Sequence, residues 1–243
     1  LSYSNHFNLV LDPFYPDSGQ YFNLVGDAAT FISNSDYINS PPWPGSVDRV
    51  LYQKIRGGMS SLPNAFASAM VSDIVYSQPV ILVEQDDDGV TVTTQDGSVY
   101  LADRILCTVP LPVLNKIDFS PMLSNQKIEA SSGGYHYTDS TRLFTQFASK
   151  FWTQNDLNAW GDTDIPEEIW QPTGDDSSST GIVQSYLRGE PAEQFDLLGL
   201  DQQIEQVHNR WRNVLTDMEQ AILTNHVHSW AKDPWSASAS ASP

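Results

Sequence analysis

The sequence predicts a mixed fold, α+β or α/β, and three observations carry that expectation. Residues 74–84, 90–94 and 99–109 read as three strands separated by Asp86-Asp87-Asp88-Gly89 and Asp96-Gly97, two acidic glycine turns suited to antiparallel hairpins. The last run, Ile105-Leu106-Cys107-Thr108-Val109, is almost wholly apolar, the pattern of a strand covered on both faces. Farther along, Ile204, Val207, Trp211, Val214, Leu215, Met218 and Ile222 recur at helical spacing and predict a helix over 201–223.

The remaining elements follow in order. Residues 1–56 are rich in aromatics, Asp, Asn and Pro and read as irregular and helical. Asp17 to Phe22 suits the cap of a short helix carrying Leu24, Val25, Ala28, Ala29, Phe31 and Ile32 on one side. Ser40-Pro41-Pro42-Trp43-Pro44-Gly45 breaks regular structure. A helix is expected over 62–70, with Pro63 tolerated in its first turn. After the three-strand meander come a short helix over 125–130 and a strand over 141–147 running into Lys150-Phe151-Trp152. A loop over 161–180 is expected next, with Asp175 to Thr180 at a mobile tip, then strands over 181–187 and from 227 to 230. The Ser-Ala alternation from Ser236 has no apolar pattern from which to build a core.

A chain of 243 residues can hold one large domain or parts of two or three. Its 40% hydrophobic and 11% aromatic content are globular values and argue against a disordered chain. With 12 basic and 30 acidic residues, the net charge of -18 repels phosphate backbones and anionic lipid, which argues against nucleic-acid and membrane partners. The single cysteine, Cys107, excludes an internal disulfide and a cysteine-based metal site, and its apolar surroundings predict a buried structural thiol. No apolar run approaches the ~20 residues that span a bilayer. The chain opens on Leu1 without a charged and then apolar leader pattern, so a signal peptide is absent or already removed, and no Asn-x-Ser/Thr sequon occurs. The compartment stays open. His226 and His228 share one strand face, but spacing suggests no third ligand, so no metal is expected.

Several motifs stand in one order. Gly57-Gly58-Met59-Ser60-Ser61-Leu62-Pro63 precedes the meander, and Asp103-Arg104-Ile105-Leu106-Cys107-Thr108-Val109-Pro110-Leu111-Pro112 closes it. Thr141-Arg142-Leu143-Phe144, then Ile182 to Gly189, then Ser229-Trp230-Ala231-Lys232-Asp233-Pro234-Trp235 follow. Across residues 14–239 this order resembles the middle of the flavin-containing amine oxidases, and within them the L-amino-acid oxidases. No Gly-x-Gly-x-x-Gly fingerprint is present, so the chain reads as an interior piece lacking the N-terminal and C-terminal flavin motifs. The resemblance implies part of an FAD/NAD(P)-binding-type domain with a mixed-sheet substrate domain and a helical segment. Residues 1–56 would be the end of the helical domain and 57–130 the central FAD-binding part. Residues 131–230 would be the substrate domain, and 231–243 a truncated return to the FAD domain.

The implied cofactor is FAD, and the implied reaction turns an L-amino acid into a 2-oxo acid, ammonia and hydrogen peroxide. The implied partners are an amino acid or amine substrate and the remaining segments or subunits of the same enzyme, which would be a homo-oligomer when complete. Two alternatives stand beside this: a monoamine or polyamine oxidase, and a non-catalytic scaffold fragment. By resemblance, Val80 meets the adenine end of the cofactor through its backbone. Gly57 and Gly58 allow close backbone approach, and Trp230 on the substrate side and Trp235 on the cofactor side wall off water. Tyr186 corresponds to the tyrosine whose hydroxyl holds the substrate carboxylate, a role suited to a rigid phenol donor in an apolar pocket. Arg188, two residues on, shares its strand face and suits an acidic substrate side chain. Arg142 stands where many relatives carry a lysine that holds a water near flavin N5, and a planar fork replaces a compact ammonium there. Ser238 stands where the family pattern has glycine.

Overall fold

The computed structural model describes residues 2–42, 44–164, 168–172 and 179–242. In chain order its strands are β1 (Leu11–Pro13), β2 (Gln20–Val25), β3 (Ala28–Ile32), β4 (Gln53–Ile55), β5 (Val80–Gln85), β6 (Val90–Thr94), β7 (Val99–Ala102) and β8 (Asp118–Ser120). They continue with β9 (His136–Thr138), β10 (Ser140–Phe147), β11 (Leu157–Thr163), β12 (Glu168–Trp170), β13 (Gly181–Arg188), β14 (Ile222–Ser229) and β15 (Ser240–Ser242). The chain divides into two compact units, Leu1–Val71 with Thr141–His228, and Ser72–Ser140 with Ser229–Pro243.

The first unit is built on a seven-stranded sheet in the order β14-β10-β13-β12-β11-β2-β3. It is mixed: β2 runs parallel to β11, while β11–β12, β12–β13 and β2–β3 are antiparallel. Strand alternation sends successive side chains to opposite faces. Leu143, Phe147, Val183 and Leu187 pack in one cluster with Phe195 of helix Glu190–Asp196 and with Val207 and Trp211 of helix Leu200–Trp211. Tyr21, Trp160 and Trp170, from the alternate positions, form a second cluster with Tyr37. The helix-side face carries a polar inlay, in which Thr145 Oγ1 meets His208 Nε2 at 2.9 Å and donates to Asn225 Oδ1 at 2.7 Å.

The second unit carries the expected meander. Its sheet runs β7-β6-β5-β8, with β5–β6 and β6–β7 antiparallel and β8 added parallel to β5. The acidic turns form by side-chain capture of backbone donors: Asp86 Oδ1 accepts from the N–H groups of Asp88 and Gly89, and Asp96 Oδ1 from that of Ser98. The Ser98 N–H, then Thr94 and Gln78, hold the Asp96 carboxyl far below the usual carboxylate range. β15, in the Ser-Ala tail, pairs with β9.

Mixed sheets with helices give the expected α+β class, and helix Ser61–Ala69, helix Asn125–Glu129 and strands β6, β10 and β13 stand within a residue or so of expectation. Five local expectations are corrected. The helix expected after Asp17 is the β2–β3 hairpin, because the two-residue turn Gly26-Asp27, with Gly26 at φ +58, joins strands buried in part on both faces. The expected loop over 161–180 contains the end of β11 and all of β12; Asp175 to Ser178 of its tip lie outside the described residues. The helix over 201–223 stops at Trp211, and Val214, Leu215 and Met218 reach the same core from turns and a 3₁₀ helix. The strand over 74–84 starts only at Val80, after Ser77 at φ 57 and Pro79. Finally, 103–109 is not a covered strand: no described strand pairs with it, Leu106 is 87% exposed, and Cys107 is an exposed free thiol.

Candidate active site

Neighbouring strands β10 and β13 place Arg142, Gln184 and Tyr186 on the sheet positions that alternate with the helix-packed core. The Arg142 guanidinium carbon lies 4.4 Å from the centroid of the Tyr186 ring and 5.2 Å from that of Trp170, and those two rings meet edge to face at 5.6 Å. Each such cation–ring contact is worth about 0.5–2 kcal/mol, more as water is excluded. Arg142 Nη1 donates to Gln184 Oε1 at 3.4 Å. Two donors are left over: Arg142 Nε and Gln184 Nε2 are buried and have no hydrogen-bond partner among the described residues. The Tyr186 hydroxyl likewise bonds none of the described residues, and the Arg188 guanidinium lies 5.4 Å from the same ring.

An aromatic wall continues from this cluster across the sheet. Trp160 stacks on Trp170 at 5.8 Å and 20°, and Tyr21 on Tyr37 at 3.9 Å and 16°. Arg49 covers Tyr37 at 4.0 Å and is tied to Ser40 through Nη1–Oγ at 2.8 Å. Burial is the main cause that pushes the Tyr37 hydroxyl above its ordinary range, so it stays a neutral donor. This arrangement is a ring-lined surface with Arg142 at one end and Arg49 at the other.

Arg142, Tyr186 and Arg188 are thus brought together in the first unit. Gly57 and Gly58 lie in the same unit but not in a close backbone approach. Added Cβ atoms would meet only Ser61 Oγ at 3.8 Å and Ser60 Oγ at 4.0 Å, and the glycines are explained by φ values of +83 and +104 at the turn into helix Ser61–Ala69. Val80, Trp230 and Trp235 belong to the second unit. Val80 opens β5, and β8 pairs only with Leu82–Glu84, so β8 gives Val80 no partner. Trp230 is 38% and Trp235 59% exposed, so neither is a core residue. The Trp230 N–H donates to the Ser140 carbonyl, and Asp233 Oδ1 accepts from the Trp235 and Ser236 N–H groups. Sequence reasoning missed Gln184 and Trp170. The signal for Gln184 was its parity with Tyr186 on one strand; Trp170 sat in a segment read as loop. Among the described residues no group of three or more His, Cys, Asp or Glu could hold a metal ion, and no helix is long and apolar enough to cross a membrane.

The chain matches the family described as flavin containing amine oxidoreductase over residues 6–243, and it belongs to that family. Its cofactor is accordingly FAD. It is 25% identical over 198 residues to an L-amino-acid oxidase of Daboia russelii, which covers 77% of this chain and 39% of that protein. It is 29% identical over 166 residues to an L-amino-acid oxidase of Mus musculus, covering 66% and 26%. The chain therefore spans well under half the length of these relatives. Among solved structures, a redesigned putrescine oxidase superposes with TM-score 0.81 at 13% identity, covering 98% of this chain and 72% of that one. Cyclohexylamine oxidase from Brevibacterium oxydans superposes with TM-score 0.80 at 10% identity, covering 98% of this chain and 72% of that one. These likenesses show the fold.

Proposed function

We propose that this chain forms the substrate-facing part of an FAD-dependent oxidase that deaminates an L-amino acid. The products would be a 2-oxo acid, ammonia and hydrogen peroxide, formed at the expense of oxygen and water. The observation that carries the reading is the cluster of Arg142, Gln184 and Tyr186, a cation and unpartnered donors set among aromatic rings. It suits a zwitterion with an apolar part better than it suits a simple amine, whose positive charge Arg142 would repel.

Bound FAD would supply the hydride acceptor for the substrate α-carbon, and the protein's task is to orient the amino acid and exclude water. In this reading the Tyr186 hydroxyl donates to the α-carboxylate. Arg142 keeps that end of the site positive and can order a water, and Arg188 takes an acidic side chain. Within the second unit, the Val80 backbone edge left without a β8 partner would suit an adenine edge, and the exposed indoles of Trp230 and Trp235 would offer apolar surface to a flavin ring. The exposed apolar residues of 103–109 suit cover by remaining segments of the same enzyme.

Tyr186→Phe tests the reading. It should raise KM for L-amino acids about tenfold or more, as expected for a lost hydrogen bond to a charged group, with a much smaller effect on simple amines. Equal effects on both substrate types would reject it in favour of a monoamine or polyamine oxidase.

A further inference from the structure

We infer that Trp170 and Gln184 are positioning residues for Arg142, a role that rests on the substrate-facing site proposed above. Trp170 on β12 and Gln184 on β13 are cross-strand partners. Both are closed to solvent, at 8% and 1% exposure, so neither side chain is placed to touch a ligand. Arg142 on β10 is partly exposed and lies against both of them. Any effect of the sealed pair on the reaction therefore passes through the guanidinium. Trp170 is held in turn by Trp160, which stacks on it at 5.8 Å and 20°.

The mount suits a planar cation. The rings of Trp170 and Tyr186 lie 5.2 and 4.4 Å from the guanidinium carbon, and Nη1 donates to Gln184 Oε1 at 3.4 Å. Because a guanidinium can only donate, the amide oxygen of Gln184 must face it. All three partners are neutral. Among the described residues Arg142 enters no ion pair, although Glu168 stands opposite Tyr186 on the neighbouring strand. Rings and amide thus fix the plane of the fork and leave its charge uncancelled, which a carboxylate partner would not. A lysine ammonium, compact and without a plane to stack, could not use the same mount.

The test uses the complete FAD-loaded enzyme as wild type, Trp170→Leu, Trp170→Phe, Gln184→Met, Arg142→Lys and Arg142→Met. The Trp170 and Gln184 changes are then repeated in the Arg142→Met background. kcat/KM is measured for L-leucine, and crystal structures of the single variants locate the Arg142 guanidinium. Trp170→Leu and Gln184→Met should each lower kcat/KM about tenfold, while Trp170→Phe keeps most of the activity. Arg142→Lys should fall to within about threefold of Arg142→Met in spite of its charge. In the Arg142→Met background the same changes should cost less than about twofold more, since nothing is left to position. The guanidinium should move off the Tyr186 ring in Gln184→Met. Losses that multiply across the double variants, or a guanidinium unmoved in Trp170→Leu and Gln184→Met, would overturn the role. So would an Arg142→Met enzyme as active as wild type. Should Trp170→Leu fail to fold or to load FAD, Gln184→Met, close in shape to the native side chain, carries the cycle alone. If wild type oxidises only carboxylate-free amines such as isopentylamine, the amino-acid reading fails, and the same cycle run on that amine decides the positioning separately.

Discussion

Thr145, on the helix-facing side of β10, shows how a single hydroxyl ties the sheet to the helix behind the site. It bonds both His208, which is buried like Thr145 itself, and the partly buried Asn225. Thr145→Val keeps the shape and removes the bonds, so it should cost about 1–3 kcal/mol of unfolding free energy in urea titration. Burial, the largest cause, pushes the His208 pKa below its ordinary value. The unfolded chain then binds a proton that the folded chain refuses. Stability from this group is complete above the ordinary pKa of 6.5 and falls as the pH drops from there toward the folded value. Denaturation midpoints of wild type and His208→Gln, compared at pH 7.5 and 5.5, should show the smaller fall in the variant. On the opposite face, Arg188→Ala should lower activity on acidic amino acids selectively; an equal loss on all amino acids would remove Arg188 from side-chain recognition. Tyr186 and Arg142 were legible in the sequence from motif order. Gln184 was not, because its importance lies in an amide acceptor whose guanidinium partner only the packing of two strands supplies.

At the scale of elements, the seven-stranded sheet depends on two close fits. Gly161 in β11 lies against β2, where an added Cβ would sit 2.4 Å from both the ring and the carbonyl oxygen of Phe22. Gly161→Ala should therefore destabilise the sheet by about 1–3 kcal/mol or more, since the carbonyl cannot turn aside as a flexible side chain would. Trp211 closes helix Leu200–Trp211 and is fully buried. Trp211→Ala should cost about 3–5 kcal/mol, visible as a lowered denaturation midpoint. These elements also mark what patterning can and cannot report. Strands ended by Asp-Gly turns were legible because the turn chemistry is local. The helix read through to Leu223 was too long because apolar spacing records burial, and Val214, Leu215 and Met218 stay buried after the helix has ended. The β2–β3 hairpin was read as helix for a related reason: with Phe22 and Leu24 in one core and Tyr21 in the other, two-sided burial erases the alternation that identifies a strand.

At the scale of the whole chain, a net charge of -18 surrounds Arg142 and Arg188, and Glu168 and Asp162 share their sheet face. The family was legible in the order of the motifs, while the cover over 103–109 was expected and is not present among the described residues. Oxidation of an L-amino acid held by its carboxylate, as proposed above, is tested by anaerobic stopped-flow absorbance of the flavin on mixing with L-amino acids and with carboxylate-free amines. At least one L-amino acid should bleach the oxidised flavin band, at a rate that saturates with concentration and falls in Tyr186→Phe. A flavin that stays oxidised with every L-amino acid yet bleaches with a simple amine would contradict it.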